Sequence, residues 1–468
     1  MRFVERSLLC CSGVVLIALA LMLAPSSRAE TLTEAMSAAW KRHPALLAER
    51  ARKRAADHEI DIARSGYYPD INAAGDVVSS DGLTGSNSFS GDPALKYSVT
   101  AEQTLFDGFR TSSAVDEALT GAQAASAGVI DVERSVLLEA VRVYADVLRD
   151  REIEALRKRD LKMFDDEVKA AREGLAKGNG TLTDVAQSRA RRAQAMADLF
   201  AAMAEAEVSV AEYERVVGHA PAKLKRPAVP LARLPKSLAA AIDAADQFDP
   251  AAMRARLRAK ASLSASDRIQ ADALPQLKAR AGVEGRRGLS DQLDDRDAAF
   301  VGLRLSVPLY DGGENRARVA QANELSIALE EDARGVQERS RAGTIAAWRR
   351  LAAARSRLAS EREAATQSRD ALASIREGLR LGQRSIIEVL DANRELVTAE
   401  VRVRLIERDL LVSAYTLLAV TGALVTGSPE GEAAPVAIKA TDALDSIVVK
   451  STDLDTASGW QASAQIAP

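Results

Sequence analysis

Long stretches of the chain carry apolar residues at spacings of three and four, which is the pattern of an α-helix. Two of these stretches, residues 111–172 and 314–377, contain no proline and place many charged residues between narrow apolar stripes. Small apolar residues dominate the stripes, which favours coiled-coil packing over a globular core. At 1.5 Å per residue, a helix of about 62 residues is roughly 90 Å long. The pattern therefore predicts two long helical rods.

A second pattern, in which apolar and polar residues alternate strictly, precedes each rod. It covers residues 71–77 and 95–105 in the first half of the chain, and 277–283 and 301–309 in the second half. Each pair of alternating segments flanks a polar loop, over 285–297 in the second half, and predicts a β-hairpin. The charged positions of this alternation, which we expect on one face, are Lys96, Glu102, Lys278, Arg280, Glu284 and Arg304.

The second half of the chain repeats the first. Leu105-Phe106-Asp107-Gly108 recurs 204 residues later as Leu309-Tyr310-Asp311-Gly312, and Arg172-Glu173-Gly174-Leu175 recurs at the same offset. We interpret both Asp-Gly pairs as turns from a strand into the following rod, since the spacing of further acids does not fit a calcium loop. The predicted boundaries are a first structural repeat over 30–220, a linker over 221–236 and a second repeat over 237–426.

Each repeat is expected to contain an N-terminal helix, a β-hairpin and a long helical hairpin. In the first repeat the N-terminal helix covers residues 31–64. Gly178 and Gly382 interrupt the helical pattern beyond the rods, and the pattern resumes near Leu182 and Ile386. These glycines therefore mark tight tips at which each rod turns back into a shorter helix.

The two ends of the chain do not fit this repeat. Arg2 and Arg6 precede an apolar run, and Ser27-Arg28-Ala29 has the small residues that a signal peptidase recognises. We predict a secretory signal peptide over 1–29, with a membrane-anchoring helix as the alternative. Both cysteines lie in this segment, so disulfides and thiolate metal sites are excluded from the mature chain. Residues 427–468 lack helical periodicity, and we expect a flexible C-terminal tail.

Composition narrows the class of protein. An apolar fraction of 47% excludes wholesale disorder, while 28% charged and only 4% aromatic residues are typical of long helices. The 63 Lys and Arg residues nearly balance the 66 Asp and Glu residues, so net charge does not favour nucleic acid. The chain has no G-x-S-x-G, H-E-x-x-H or nucleotide-loop motif. We therefore expect no enzymatic activity, no cofactor and no metal.

The four predicted strands have the length of strands that cross a bilayer, about ten residues each. Four strands cannot close a barrel, and open sheet edges are not tolerated in lipid, so copies of the chain must combine. Three copies give twelve strands, and two give eight with little bore. A soluble β-sandwich with helical arms also fits the alternation. The duplication, with both hairpins at the same position relative to the rods, favours the membrane interpretation.

In these features the sequence resembles the TolC-type outer-membrane channel family. The resemblance is carried by Tyr68-Pro69 at a strand entry, the duplicated Leu-Phe/Tyr-Asp-Gly, and the second tip over residues 382–392. It implies an α+β membrane protein that forms a homotrimer, with a twelve-stranded barrel in the outer-membrane lipid and a periplasmic α-helical barrel of coiled-coil helices.

The resemblance also implies a function and partners. Family members are the outer-membrane component of type I secretion or of multidrug efflux, and the sequence does not separate the two. They work with a periplasmic adaptor (membrane fusion) protein and an inner-membrane ABC or proton-driven transporter. A structural coiled-coil protein of the envelope is the alternative from a different class, although it leaves the four strands unexplained.

The candidate functional residues lie at the predicted tips. Glu388 and Asp391 are three residues apart and share a helix face, so three chains would present a ring of six carboxylates. The resemblance implies that this ring is the periplasmic entrance, that Arg384 ties inner to outer helices, and that Asp184 is its acidic partner. It also implies that Gly178 and Gly382 mark the adaptor-docking tips. The alternative is that these charges are ordinary solvated residues.

Overall fold

The computed structural model describes residues 29–79, 93–178, 180–288 and 296–424, and these ranges follow one plan twice. The elements of the first copy are α1 (Leu32–Arg42), α2 (Pro44–Ser65), β1 (Asp70–Ser79), β2 (Pro93–Phe106), α3 (Arg110–Ala176) and α4 (Leu182–Val217). Those of the second copy are α5 (Leu238–Phe248), α6 (Pro250–Ala271), β3 (Gln276–Gly288), β4 (Arg296–Ser306), α7 (Glu314–Arg380) and α8 (Ile386–Val420). The predicted tail, and the predicted signal peptide apart from Ala29, lie outside the described residues.

The prediction of one continuous helix over residues 31–64 is wrong. Two helices occupy this range, and His43 between them is extended, with φ −63° and ψ 124°. The cause is Pro44, whose ring disfavours helical geometry in the residue before it and suits the first turn of the next helix. The second copy breaks in the same way at Asp249, before Pro250.

The two predicted rods are confirmed, and both are slightly longer than expected. Each of α3 and α7 has 67 residues, which is about 100 Å of helix. Each return helix packs along its own rod, and α3 also packs against α8. Buried alanine and leucine fill the contacts between α7 and α8. Within the described residues, no helix combines the length and the apolar character needed to cross a membrane.

The start of the described chain is fastened to the linker between the two copies. Glu30 forms a parallel bridge with Leu224, and the Tyr144 hydroxyl donates to the Glu30 carbonyl oxygen at 2.8 Å. The Tyr213 hydroxyl donates to the Glu30 carboxylate at 2.6 Å. Both tyrosine side chains are fully buried, so these contacts of Glu30 belong to the hydrophobic core.

The four strands form one antiparallel sheet in the order β1-β2-β3-β4. Each predicted hairpin is confirmed, and β2 also pairs with β3, with Val99 opposite Val283. The predicted loop over 285–297 is too long, because β3 continues to Gly288 and β4 begins at Arg296. The duplication therefore builds one sheet from hairpins that are far apart in sequence.

The two faces of the sheet differ sharply in polarity. Residues opposite one another in an antiparallel pair share a face, and here Lys96 lies opposite Arg286, and Lys278 opposite Arg304. The six charged positions predicted for one face all lie on it. The other face is largely apolar and open, with Val301 87% and Leu303 70% exposed, and it carries one ion pair, Arg287–Asp297, at the end far from the rods. A large exposed apolar surface marks a site of lipid or protein contact.

An Asp side chain forms each turn from a strand into a rod, as predicted. Asp107 accepts hydrogen bonds from the backbone N–H and hydroxyl of Thr111. Asp311 accepts from the backbone N–H groups of Gly313 and Asn315, both at 2.8 Å. These bonds satisfy amides that a helix start leaves without partners.

Candidate functional site

The ends of the two helical hairpins are built to the same design. After each rod the chain passes through a glycine in the left-handed region, Gly178 with φ +79° and Gly382 with φ +72°. Glycine adopts this conformation without the steric cost that a β-carbon brings. Both glycines are exposed, so each tip presents backbone to its surroundings.

The return helices begin with equivalent capping boxes. Thr181 accepts from the Asp184 N–H at 3.2 Å, and Asp184 accepts from the Thr181 N–H at 2.9 Å. Ser385 and Glu388 make the same reciprocal pair at 3.4 and 3.1 Å. Each box satisfies two backbone N–H groups that the start of the helix would otherwise leave unpaired. Asp184 and Glu388 therefore have the same local role in the two repeats.

Arg384 distinguishes the second tip from the first. Its Nη1 lies 2.8 Å from Glu388 Oε2, and its side chain crosses Gly378, where an added β-carbon would lie 2.6 Å from Arg384 Cγ. The equivalent position in the first tip, 204 residues earlier, is Gly180. The Ser385 N–H, and then Arg384, lower the pKa of the Glu388 carboxyl. Glu388 is therefore a stabilised carboxylate beside its own cation.

The second carboxylate of the predicted entrance, Asp391, is also paired within the chain. Arg191 on α4 lies 2.8 Å from Asp391 on α8, and the Asp391 side chain is 57% exposed. Sequence reasoning missed Arg191, because an arginine in a helix rich in arginine carries no distinguishing signal. In one chain, both predicted ring carboxylates thus have a cationic neighbour.

The expected partnership of Arg384 with Asp184 is not formed within the chain. No ion pair joins these residues in the described structure, since Arg384 binds Glu388 and Asp184 caps its own helix. The fold does bring together Glu388, Asp391 and Arg384 on the first turns of α8. It leaves Asp184 on the first tip.

A buried polar contact lies just beyond the predicted entrance residues. Asn393 on α8 donates to Asp160 on α3 at 2.7 Å, and both side chains are buried. Burial raises the pKa of the Asp160 carboxyl, against the lowering effect of this hydrogen bond and of Arg157. The sequence held a signal for this contact, because Asn393 interrupts an apolar stripe through Val389 and Val397.

An open groove of about 480 Å³ runs between the return helices at this end of the rods. Its lining combines polar and apolar side chains. Its lining residues are Gln187, Ala190, Arg191, Gln194, Ile387, Leu390 and Arg394.

Solved structures share this architecture. The chain is similar to the outer-membrane channel CmeC of Campylobacter jejuni, with a TM-score of 0.73 and 14% identity over 89% of each chain. It is also similar to the outer-membrane channel OprN, with a TM-score of 0.73 and 21% identity over 85% of this chain and 91% of the other. At these identities, the likeness concerns the fold.

Sequence comparisons give the family. The chain is 31% identical to outer membrane efflux protein BepC of Brucella suis biovar 1 (strain 1330), over 88% of this chain and 89% of the relative. It is 24% identical to outer membrane protein TolC of Escherichia coli (strain K12), over 85% and 83%. The model of the outer membrane efflux protein family matches twice, at residues 35–219 and 241–423. The chain therefore belongs to the outer membrane efflux protein family.

Proposed function

We propose that three copies of this chain form a channel that exports solutes through the outer membrane. The observation that carries the proposal is the sheet, which has one charged face and one exposed apolar face. In a closed barrel, the apolar face meets lipid and the charged face lines a wet lumen. An outer-membrane location agrees with the family.

The sheet edges support assembly into a barrel. Within the described residues, the outer edges of β1 and β4 have no strand partner. Unpaired backbone groups are costly in lipid, so β4 of one copy pairs with β1 of the next. Three sheets then give twelve strands, and the rods of about 100 Å extend as a helical tunnel into the periplasm.

The tips are the proposed periplasmic entrance. Glu388, Asp391 and Arg384 line it, with Asp184 on the neighbouring tip available to Arg384 of another copy. The turns at Gly178 and Gly382 are the proposed contacts for a periplasmic adaptor, which connects the tunnel to an ABC or proton-driven transporter in the inner membrane. Exposed backbone and the groove between α4 and α8 support this assignment.

Small molecules are the favoured cargo, since the relative from Brucella suis is named an efflux protein. Type I secretion of proteins is the second candidate, because the same conduit serves either transporter. The features assigned here form a conduit, and we propose transport without catalysis.

Fractionation and bilayer recording test the proposal. We expect the protein in outer-membrane fractions as a trimer that resists heating in detergent, and the purified trimer to form pores in planar bilayers. A monomer in the soluble periplasm, without pore activity, would contradict it. A structural coiled-coil protein of the envelope predicts that outcome.

A further inference from the structure

The charges on the polar face of the sheet are arranged in rows, because residues opposite one another in register lie at the same height. The charged row nearest the rods consists of Thr104, Lys278 and Arg304. The next row on this face consists of Asp70, Glu102 and Arg280. The two rows together form a belt at the end of the sheet where the strands join the helices.

Cations outnumber carboxylates in this belt. Glu102 lies 2.7 Å from Lys278 and 3.1 Å from Arg280, so one carboxylate serves two cations. Asp70 accepts from Asn72 at 3.1 Å. In the described part of the chain Arg304 has no ion-pair partner, and its neighbour across the strands is another cation, Lys278.

The opposite end of the polar face has the same bias. The row there consists of Asp76, Lys96, Arg286 and Arg296. Between the two ends, the charged residue on this face is Glu284. Over the described strands, the polar face thus carries six cationic and four anionic side chains.

We infer that the barrel is an anion-attracting exit, whose cargo bears carboxylate or phosphate groups. The inference rests on the proposed trimer, because closure of the sheet is what turns this face into a lumen. Three copies place six cations, from Lys278 and Arg304, in the charged row nearest the rods. Low-dielectric walls focus such a field and raise the local concentration of ions of opposite charge.

The periplasmic tip does not impose the opposite preference. Each carboxylate of the expected ring has a cation beside it, Arg384 at Glu388 and Arg191 at Asp391, both at 2.8 Å. The belt is less balanced, since Lys278 and Arg280 share one carboxylate. The belt therefore carries an excess of positive charge that the two ring carboxylates at the tip do not offset.

Reversal potentials of the purified trimer in a KCl gradient test the inference. We expect wild-type pores to prefer chloride, and the preference to weaken as salt rises towards 1 M, where the screening length falls to about 3 Å. Removing both cations of the first row, Lys278→Gln with Arg304→Gln, should lower the chloride-to-potassium permeability ratio about threefold. Removing the counter-charge, Glu102→Gln, should raise it.

The two variants should change the permeability ratio in opposite directions, which distinguishes a charge effect from general damage to the barrel. Wild-type pores that prefer potassium would overturn the inference even if no variant assembled. So would a permeability ratio that the double variant and Glu102→Gln both leave unchanged. A protein that forms no trimer and no pore would instead contradict the proposed function, so the two failures are distinguishable.

Discussion

Arg191 and Asp391 join the return helices of the two repeats through an ion pair of 2.8 Å. The two residues lie on different hairpins, and the pair joins α4 to α8 beside the groove that Arg191 helps to line. It neutralises a carboxylate that spacing alone assigned to a ring of like charges. Both carboxylates of the proposed entrance ring are therefore paired with a cation within one chain.

Replacing Arg191 with Gln should expose the charge of Asp391. An exposed ion pair contributes about 0.2–1 kcal/mol, so we expect the Mg²⁺ concentration that half-blocks the pore to fall by a factor of about 1.4 to 5. Single-channel recording with Mg²⁺ on the side of the tips measures this concentration. Arg189→Gln, two residues away on α4, is the matched control and should leave it unchanged. Equal block in both variants would contradict a role for the pair.

The two capping boxes allow a comparison between the tips. Glu388→Gln keeps an acceptor for the Ser385 N–H, but it leaves the Arg384 charge uncompensated, so cation block should weaken. Asp184→Asn changes the same cap in the first tip, where Gly180 replaces the arginine, and block should stay near wild type. Bilayer recording of both trimers checks the difference. If both variants changed cation block to the same extent, the cap, and not the charge of Glu388, would determine the block.

Asp160 should make the stability of the rods depend on pH. Burial raises the pKa of Asp160 in the folded state above the ordinary value of 3.8. The contribution of this raised pKa to the free energy of unfolding is therefore fully present below pH 3.8, and it is lost as pH rises through the raised pKa. Arg157 and Asn393 oppose this effect, and Asp198 on α4 adds to it. Asp160→Asn keeps an acceptor for Asn393 and removes the charge.

We therefore expect Asp160→Asn trimers to melt at a higher temperature than wild type at pH 7, with the difference shrinking towards pH 4. Thermal unfolding at both pH values measures this. Asp165→Asn, which alters an exposed ion pair with Arg192, is the control and should change the melting temperature little. A variant that is less stable than wild type at pH 7 would show that the charged form of Asp160 is needed.

The extent of sequence prediction varied with the kind of interaction. Periodicity predicted the rods and hairpins, because each depends on neighbours in sequence. It did not predict that Val99 lies opposite Val283, since pairing between distant hairpins leaves no local pattern. Spacing placed Glu388 and Asp391 on one helix face, and it also places Arg384 four residues before Glu388. Arg191, the partner of Asp391, depends on how two distant helices pack. The break at His43 was foreseeable from Pro44, because the effect of proline on the preceding residue is local.

The two faces of the sheet should respond differently to one added charge. Val301 lies on the apolar face and is 87% exposed, while Thr100 lies on the polar face one row away, opposite Gly282. An arginine facing lipid near the bilayer centre costs about 2–4 kcal/mol, whereas a lumen position tolerates it. Val301→Arg should therefore reduce the heat-resistant trimer in outer-membrane fractions, and Thr100→Arg should preserve the trimer and increase chloride preference. If Thr100→Arg abolished the trimer and Val301→Arg did not, the assignment of faces would be reversed.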